Sequence, residues 1–399
     1  MLKKISRDAV RAGMYIHSFE GSWLSHPFWQ SKFVIRDVED LALLHRSELT
    51  AVWIDTSKGL DIAEPLVIEA APVKSLSRPD ATRSSGTTRC SVREELQRAA
   101  RLLSRSKKAI NELFNEARLG RAIHVDGCIP LVADISDSLA RNGSALIGLA
   151  RLKNKDEYTY MHSVAVCALM VSLARQLGLD EATVLEAGLS GLLHDIGKMA
   201  MPLAVLNKAG SLTDAEFAVM RSHPERGHGL LTAAGSIPHS VLDVCLHHHE
   251  KFDGTGYPHG LKGEEISLFS RMGAVCDVYD AITSNRPYKK AWNPADSLAR
   301  MTQWSGHFDT RVLHAYVRSV GIYPLGSLVR LQSGRLGVVI DQHAEKLTEP
   351  LVRVFFSTKT RTPLQQTNLD LSEPGVSDRI VSREDPADWG FSGLDEFWQ

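Results

Sequence analysis

Apolar positions follow a helical period through the middle of the chain. From residue 158 to residue 320, apolar residues recur at three- and four-residue steps, beginning with the series Met161, Val164, Ala168 and Val171. Steps of this size place apolar side chains on one face of an α-helix. This stretch is therefore predicted to be an all-α domain of at least six helices.

Polar residues and glycines predict where individual helices begin and end. Asp180 precedes an apolar run and suits an N-cap, and Gly178 is a natural stop for the helix before it. Thr213 followed by Glu216 is a capping-box signature. Asn293 stands just before a proline, a residue favoured in the first turn of a helix. Helix starts are therefore expected at these three polar positions.

The N-terminal part of the chain has a different pattern. Residues 33–35 and 51–55 are short apolar runs typical of strands, with a helical run between them. Together they predict a small α+β domain over residues 1–70. Residues 71–91 are rich in Pro, Ser and Thr, which predicts a flexible linker.

The remaining segments complete a mainly α fold. Residues 92–150 begin with an amphipathic, basic run and are predicted to form a helical connector. The all-α domain is expected over residues 151–322. Residues 323–399 contain short β-branched or aromatic runs, which predict a short β-rich C-terminal extension, a small cap followed by an acidic, poorly ordered tail.

Composition and charge argue against several classes of protein. The formal net charge of the 399 residues is −1, so no global attraction to a nucleic acid polymer or an acidic membrane is expected. No apolar run approaches the roughly 20 residues that a membrane helix needs, and no apolar signal core is present. The five cysteines form no CxxC pair, which argues against a zinc knuckle. A cytoplasmic protein is therefore expected.

Histidine is the residue that points to chemistry. Of 16 histidines, nine fall between His162 and His259, and several of them stand beside carboxylates, as in the run from His247 to Glu250. Imidazole and carboxylate ligands together suit first-row divalent metals, and the lack of thiolates argues against a structural zinc site.

The dipeptide His194-Asp195 stands at the end of an apolar helix face, where an unpaired buried carboxylate would be costly. Asp195 can bridge two metals through its two oxygens while His194 serves one of them. The other candidate ligands stand at predicted helix ends or on a late helix, from which side chains can converge in a bundle core. They are His162, His223, His248, His249 and Asp277. The set is large enough for two cations about 3.5–4 Å apart, the arrangement used for phosphoryl displacement.

Five motifs in a fixed order resemble the signature of the HD-GYP family, part of the HD superfamily of metal-dependent phosphohydrolases. The resemblance covers roughly residues 150–320 and is specific, because five ordered matches by chance are implausible. The motifs are His194-Asp-Ile-Gly-Lys198, Arg221-Ser-His-Pro-Glu-Arg-Gly227, His248-His-Glu250 leading into Asp253-Gly-Thr-Gly-Tyr-Pro258, Asp277-Val-Tyr-Asp-Ala281, and Arg286-Pro-Tyr-Lys289.

This resemblance implies a fold, an activity and a cofactor. It implies an HD-type helical-bundle catalytic domain that hydrolyses cyclic di-GMP to pGpG, and on to GMP in some members, with two divalent iron or manganese ions. Such an enzyme lowers the level of a bacterial second messenger. Residues 1–70 resemble a small domain of unknown function that often precedes HD-GYP domains.

The resemblance also assigns roles to individual residues. Asp195 and Lys198 are the expected catalytic residues, with Lys198 placed against a phosphate oxygen. One metal would be held by His162, His194, Asp195 and Asp277, and the other by Asp195, His223, His248 and His249. Substrate contacts are expected from Lys198, Arg286, Lys289, Asp253 and Tyr257.

Two features of the motifs allow more than one interpretation. The loop from Asp253 to Pro258 is either a tight turn, with glycines supplying positive φ, or a lip of the substrate pocket, and both roles can hold together. Some family members carry a Glu for a third metal where this chain has Tyr158, a poor ligand for a hard divalent metal. Two metals are therefore favoured over three.

The sequence is compatible with two alternative functions and with several partners. One alternative is another HD-type nucleotide phosphohydrolase, and a second is a catalytically weak cyclic di-GMP receptor or adaptor. The partners considered are cyclic di-GMP, diguanylate cyclase domains and a second copy of the chain in a homodimer, whereas neither a nucleic acid polymer nor a membrane is expected.

Overall fold

The computed structural model divides the chain into two compact units, Met1–Thr82 and Arg83–Gln399. Each unit has its own hydrophobic core. The structure describes residues 2–11, 13–19, 33–35, 41, 44, 51–60, 90–121, 123–151, 158–208, 210–284, 292–343 and 346–398.

The first unit contains an antiparallel sheet of four strands in the order β1-β4-β2-β3. The strands are β1 (Leu2–Ser6), β2 (Tyr15–Phe19), β3 (Phe33–Val34) and β4 (Ala51–Asp55). The strands predicted at residues 33–35 and 51–55 are confirmed. The sequence pattern missed β1, because only Ile5 of that strand is buried and no apolar alternation marks it.

The second unit contains eleven helices within its described residues. They are α1 (Val92–Arg118), α2 (Cys128–Arg151), α3 (Tyr158–Gln176), α4 (Glu181–Leu193), α5 (Leu203–Leu206), α6 (Asp214–Met220), α7 (His223–Ala234), α8 (His239–His247), α9 (Leu268–Thr283), α10 (Pro294–Met301) and α11 (Thr310–Val320). The mainly α fold class is therefore confirmed.

The predicted helix starts are confirmed by the capping contacts. The Asp180 side chain accepts a hydrogen bond from the backbone N–H of Thr183 at the start of α4. Thr213 and Glu216 form the complete capping box of α6. The Asn293 side chain caps α10. Each cap satisfies backbone N–H groups that have no partner within the helix.

Helices α1 and α2 share one hydrophobic core with the helices that follow them. Leu102 and Ile135 belong to the same buried cluster as Val164 and Leu192. The segment predicted as a connector, residues 92–150, thus supplies part of this core. No helix in the described parts of the chain is long and apolar enough to cross a membrane.

The C-terminal extension is an antiparallel sheet of five strands in the order β8-β7-β6-β5-β9. The strands are β5 (Leu328–Leu331), β6 (Arg335–Asp341), β7 (Leu351–Ser357), β8 (Thr362–Asp370) and β9 (Ile380–Arg383). The strand predicted at residues 351–356 is confirmed, but the expectation of a poorly ordered tail after it is wrong for residues 358–398. Phe391 and Phe397 pack on Phe355, and Trp398 is 4% exposed. Burial of these aromatic rings outweighs the acidic composition of the segment.

Candidate metal centre

The structure brings all seven predicted metal ligands together in the core of the helical domain. Each ligand comes from a helix or from the residues at a helix end, so the helix packing sets the distances between them. Five ligands are at most 2% exposed, namely His162, His194, Asp195, His223 and His248. Asp277 on α9 is 7% exposed, and the side chain of His249 is the most open at 23%.

Two glycines allow the motif around Asp195 to approach the start of α7. A Cβ atom on Gly197 would lie 1.9 Å from the backbone oxygen of His223 and 2.5 Å from the nitrogen of Gly227. No other residue fits such a close backbone contact. Gly227 in turn faces the sulfur of Cys245, where a Cβ would lie at 2.6 Å. The glycines of two motifs therefore set the spacing between Asp195 and His223.

The two carboxylate oxygens of Asp195 face two different sets of imidazoles. Its Oδ2 lies 3.3 Å from Nε2 of His162 and 3.3 Å from Nε2 of His194. Its Oδ1 lies 3.2 Å from Nε2 of His223 and 3.7 Å from Nε2 of His248. One carboxylate oxygen thus points to each set, as a carboxylate that bridges two metals requires.

Asp277 adds a second carboxylate to the same cluster. Its Oδ1 lies 3.0 Å from Nε2 of His162 and 3.9 Å from Nε2 of His194. Its Oδ2 lies 3.8 Å from Nδ1 of His249. Asp277 therefore stands beside the set that includes His162 and His194, where the sequence motifs place it.

Backbone carbonyls fix the orientation of three of the rings. Nδ1 of His194 donates to the oxygen of Gly191 at 2.7 Å, and Nδ1 of His223 donates to Met220 at 2.8 Å. Nδ1 of His248 donates to Val244 at 2.9 Å. Since Nδ1 carries the proton in each ring, Nε2 keeps a lone pair for a metal.

A carboxylate rather than a carbonyl orients His162. Oδ2 of Asp280 lies 2.6 Å from Nδ1 of His162, and Asp280 is itself buried. This is the carboxylate–histidine pair that orients many metal-binding imidazoles and makes them more basic. Asp280 therefore orients the candidate ligand His162 and does not belong to the ligand set itself.

The donor atoms fit a metal. Nε2 of His194 and Oδ1 of Asp195 are buried without a hydrogen-bond partner among the described residues, a costly state that a bound cation would relieve. Within each of three sets, the donor atoms lie within 4.8 Å of one another; the sets are His223, His248 and His249, then His162, His194 and Asp277, and then His194, Asp195 and His248. Imidazole and carboxylate donors without thiolate suit iron or manganese.

The electrostatics of the cluster favour the ionisation state that binds a cation. Burial lowers the pKa of His249 to about 3 and that of His248 well below its usual value, so both rings stay neutral. Burial alone would raise the pKa of Asp277, but hydrogen bonding and the charge of His162 hold it well below the usual value. Neutral imidazoles and ionised carboxylates are the forms that ligate metals.

His162 shows that the cluster needs positive charge. Burial lowers the pKa of His162, but hydrogen bonds to Asp195, Asp277 and Asp280 outweigh this and raise the pKa to about 10. Three carboxylates around one ring therefore stabilise a positive charge there. A divalent cation would supply that charge in place of the proton.

The structure describes three of the five predicted substrate-binding residues. The ammonium of Lys198 pairs with Oδ2 of Asp195, and its side chain is 22% exposed. The ring of Tyr257 stacks on His249 with centroids 4.7 Å apart. Arg286 and Lys289 lie outside the described residues, as does the side chain of Tyr158.

The side chain of Asp253 forms hydrogen bonds within its own loop. Its Oδ1 accepts hydrogen bonds from the backbone N–H and the hydroxyl of Thr255 at 2.9 and 2.7 Å. Its backbone N–H donates to Gly306 at 2.8 Å, and Gly254 has a φ of +85°. These contacts support the tight-turn interpretation of the loop.

Two side chains near the site had no role in the sequence analysis. Oε1 of Glu250 accepts from the backbone N–H groups of His259 and Gly260 at 2.7 and 3.0 Å, which ties down the chain after the loop. The guanidinium of Arg221 lies 4.6 Å from the centroid of the Tyr257 ring. Both residues stand inside matched motifs, which is the signal that could have drawn attention to them.

Comparisons with known proteins agree with this geometry. An HD domain model matches residues 135–312, and a model of a domain of unknown function matches residues 2–128. A cyclic di-GMP phosphodiesterase of Pseudomonas aeruginosa is 52% identical over the whole chain and 96% of its own length. The cyclic di-GMP phosphodiesterase response regulator RpfG of Xanthomonas campestris is 40% identical over 47% of this chain and 50% of its own.

A 3'3'-cGAMP-specific phosphodiesterase of Vibrio cholerae is 35% identical over 41% of this chain and 38% of its own. The similarity to the Pseudomonas protein spans both units and is high enough to establish the family. The chain belongs to the HD-GYP family of metal-dependent phosphohydrolases.

Proposed function

We propose that this protein is a metal-dependent phosphodiesterase that hydrolyses cyclic di-GMP to pGpG, and onward to GMP. The observation that carries the proposal is the position of Asp195, whose two oxygens lie between two sets of imidazoles at 3.2 to 3.7 Å. The whole-length similarity to a cyclic di-GMP phosphodiesterase supports this choice of substrate.

The site would hold two ions, iron or manganese. The distances support one set of ligands made of His162, His194, Asp195 and Asp277, and another made of Asp195, His223, His248 and His249. When bound, such ions polarise a phosphoryl oxygen and make water a competent nucleophile at neutral pH. The helix packing contributes the fixed spacing that this chemistry needs.

Residues at the open side of the cluster would bind the substrate. Lys198 is close enough to Asp195 to stabilise charge that develops on a phosphate oxygen. Tyr257 lies over His249, the most exposed ligand, and offers an aromatic face beside the cluster. Arg286 and Lys289 would supply positive charge for phosphate and guanine, and Asp253 would keep the loop in place.

Product analysis tests this proposal directly. The protein, reconstituted anaerobically with Fe²⁺ or Mn²⁺, is incubated with cyclic di-GMP, and the products are separated by chromatography. We expect pGpG to form, with GMP following it, and no product after chelation of the metal. Binding of cyclic di-GMP without any product in the metal-loaded protein would favour the receptor alternative.

Because the chain is similar to a 3'3'-cGAMP-specific enzyme, 3'3'-cGAMP is the alternative substrate to compare with cyclic di-GMP. It differs from cyclic di-GMP in one base, so a preference between the two reports base recognition rather than metal chemistry. We expect a higher kcat/KM for cyclic di-GMP. The reverse order would assign the site to the hybrid dinucleotide.

Metal analysis tests the ligand set independently of turnover. The number of imidazole and carboxylate donors leads us to expect about two ions per chain. A metal content near zero after reconstitution would contradict the proposed metal site. Three ions per chain would contradict only the interpretation that two metals are favoured because Tyr158 is a poor ligand.

A further inference from the structure

A polar cavity of about 320 Å³ lies within the second unit, apart from the candidate metal centre. Its wall is formed by the C-terminal half of α2, by residues of α3, α9 and α11, and by the end of β6 with the residues that follow it. Helix α2 is broken at this wall, where Asn142 has φ −160° and ψ 105°. None of the seven candidate metal ligands lines this cavity.

The charges in the wall are mainly positive. Arg151 and Arg318 both line the cavity, and neither guanidinium forms an ion pair with a carboxylate of the described residues. Arg151 is held at one end, because it donates to the backbone oxygen of Leu325 at 2.8 Å. Among the described residues of this wall, Asp341 is the one acidic residue, and its Oδ1 already accepts the N–H of Gln342 at 2.8 Å.

The size and the donors of the cavity define what would fit it. A volume of about 320 Å³ is at the low end of the range for ligand sites, so a small molecule fits better than a dinucleotide. The hydroxyls of Ser144 and Ser172 add neutral donors to the two guanidinium groups. Guanidinium forks match phosphate and carboxylate groups alike. We propose that this cavity binds a small anion that carries a phosphate or carboxylate group.

The occupant would act on the helix that carries a candidate metal ligand. Tyr279 lines the cavity and stands on α9 between Asp277 and Asp280. The positive charge of Arg151 lies close to its phenol. An anion that recruits Arg151 changes the charge beside Tyr279, so its binding bears on α9.

Cys90 makes occupancy measurable. It lines the cavity and is partly exposed, whereas Cys128, Cys167, Cys245 and Cys276 are buried. A maleimide should therefore label Cys90 first. The full metal-loaded chain is labelled with N-ethylmaleimide at rising concentrations of inorganic phosphate or of succinate, with ionic strength held constant by NaCl, and the labelled peptide is identified by mass spectrometry.

We expect at least one of the two anions to slow the labelling of Cys90 saturably, by about tenfold when its concentration is ten times its Kd. Protection by phosphate alone assigns the site to phosphate groups, and protection by succinate alone assigns it to carboxylates. Absence of saturable protection by either anion, or equal protection by NaCl, overturns the proposal.

Two variants of the same helix separate the cavity from general charge effects. Arg318→Gln removes a wall cation, whereas Arg311→Gln removes an arginine of α11 whose side chain is 72% exposed and pairs with Glu264 outside the cavity. Protection should be lost in Arg318→Gln and kept in Arg311→Gln. Protection that is unchanged in Arg318→Gln overturns the proposal. The measured quantity is the labelling rate of the Cys90 thiol, so this result does not depend on turnover of cyclic di-GMP.

Discussion

The metal-ligand half and the substrate half of the candidate site are built differently. Metal ligands such as His194 and His223 are buried at helix ends, and a backbone carbonyl fixes each of these rings. The substrate half consists of a partly exposed Lys198, a loop that carries Asp253 and Tyr257, and residues beyond the described part of the chain. The first half is rigid because packing and hydrogen bonds hold each donor, whereas the described part of the second depends on one partly exposed lysine and a loop.

This difference predicts two kinds of response to mutation. Removing a ligand should leave buried donors unsatisfied and empty a metal position, so activity should fall almost completely. Removing a substrate contact should leave the metals in place and change the kinetics by graded amounts. Four variants, ordered by expected effect, test this contrast.

His223→Ala should have the largest effect. We expect turnover to fall by about 10³-fold or more, at the upper end of what losing one transition-state contact costs. Metal content should drop chiefly at the set that contains His248. His228→Ala is the matched control, since His228 stands on the same helix α7 but outside the cluster. Lost activity with both metals retained would show that the ligand assignment is wrong.

Lys198→Ala should have the next largest effect. Its ammonium lies beside Asp195 and cannot ligate a metal because it is positively charged. We expect kcat to fall by about 10²-fold with metal content unchanged, and KM to change less. Lys198→Arg keeps the charge and should recover part of kcat. An unchanged kcat in Lys198→Ala would remove this residue from the mechanism.

Arg286→Ala should have a smaller effect, confined to substrate capture. Losing one charge-assisted hydrogen bond to a phosphate should raise KM by about tenfold. Metal content and kcat should stay near wild type, as they should in the exposed control Arg311→Ala. A fall in kcat with no change in KM would place Arg286 in the chemical step instead.

Asp243→Asn should affect stability rather than chemistry. Asp243 on α8 accepts from Ser270 at 2.7 Å and lies 2.7 Å from Nδ1 of His247, so it supports the helix that precedes His248. Burial raises the pKa of Asp243, but the hydrogen bonds from His247, Ser267 and Ser270 lower it from 3.8 to about 2. Its ionised form therefore stabilises the fold fully above pH 3.8, and this contribution is lost as the pH falls towards 2.

We expect the free energy of unfolding of Asp243→Asn to be lower by about 1–2 kcal/mol at pH 7, measured by urea denaturation. The gap to wild type should persist at pH 5 and shrink at pH 3. A gap that stays constant from pH 7 to pH 3 would mean that the charge of Asp243 does not contribute.

The C-terminal segment shows where prediction from the sequence failed. Its acidic composition suggested a poorly ordered tail, but the rings of Phe391 and Phe397 pack on Phe355 of β7, and Trp398 is buried. Composition averages over the segment, whereas a few aromatic side chains with a matching apolar surface decide whether it packs. That surface belongs to a strand far away in sequence.

The helix starts and the identity of the candidate ligands were determined by the sequence alone. Caps such as Thr213 act on N–H groups two or three residues away, so a short stretch contains all the information. The motifs likewise select the histidines and aspartates that carry metal chemistry. Only the tertiary structure decided that the two oxygens of Asp195 face different sets of rings and that Tyr257 lies over His249. These distances depend on how helices far apart in sequence pack, which no local pattern encodes.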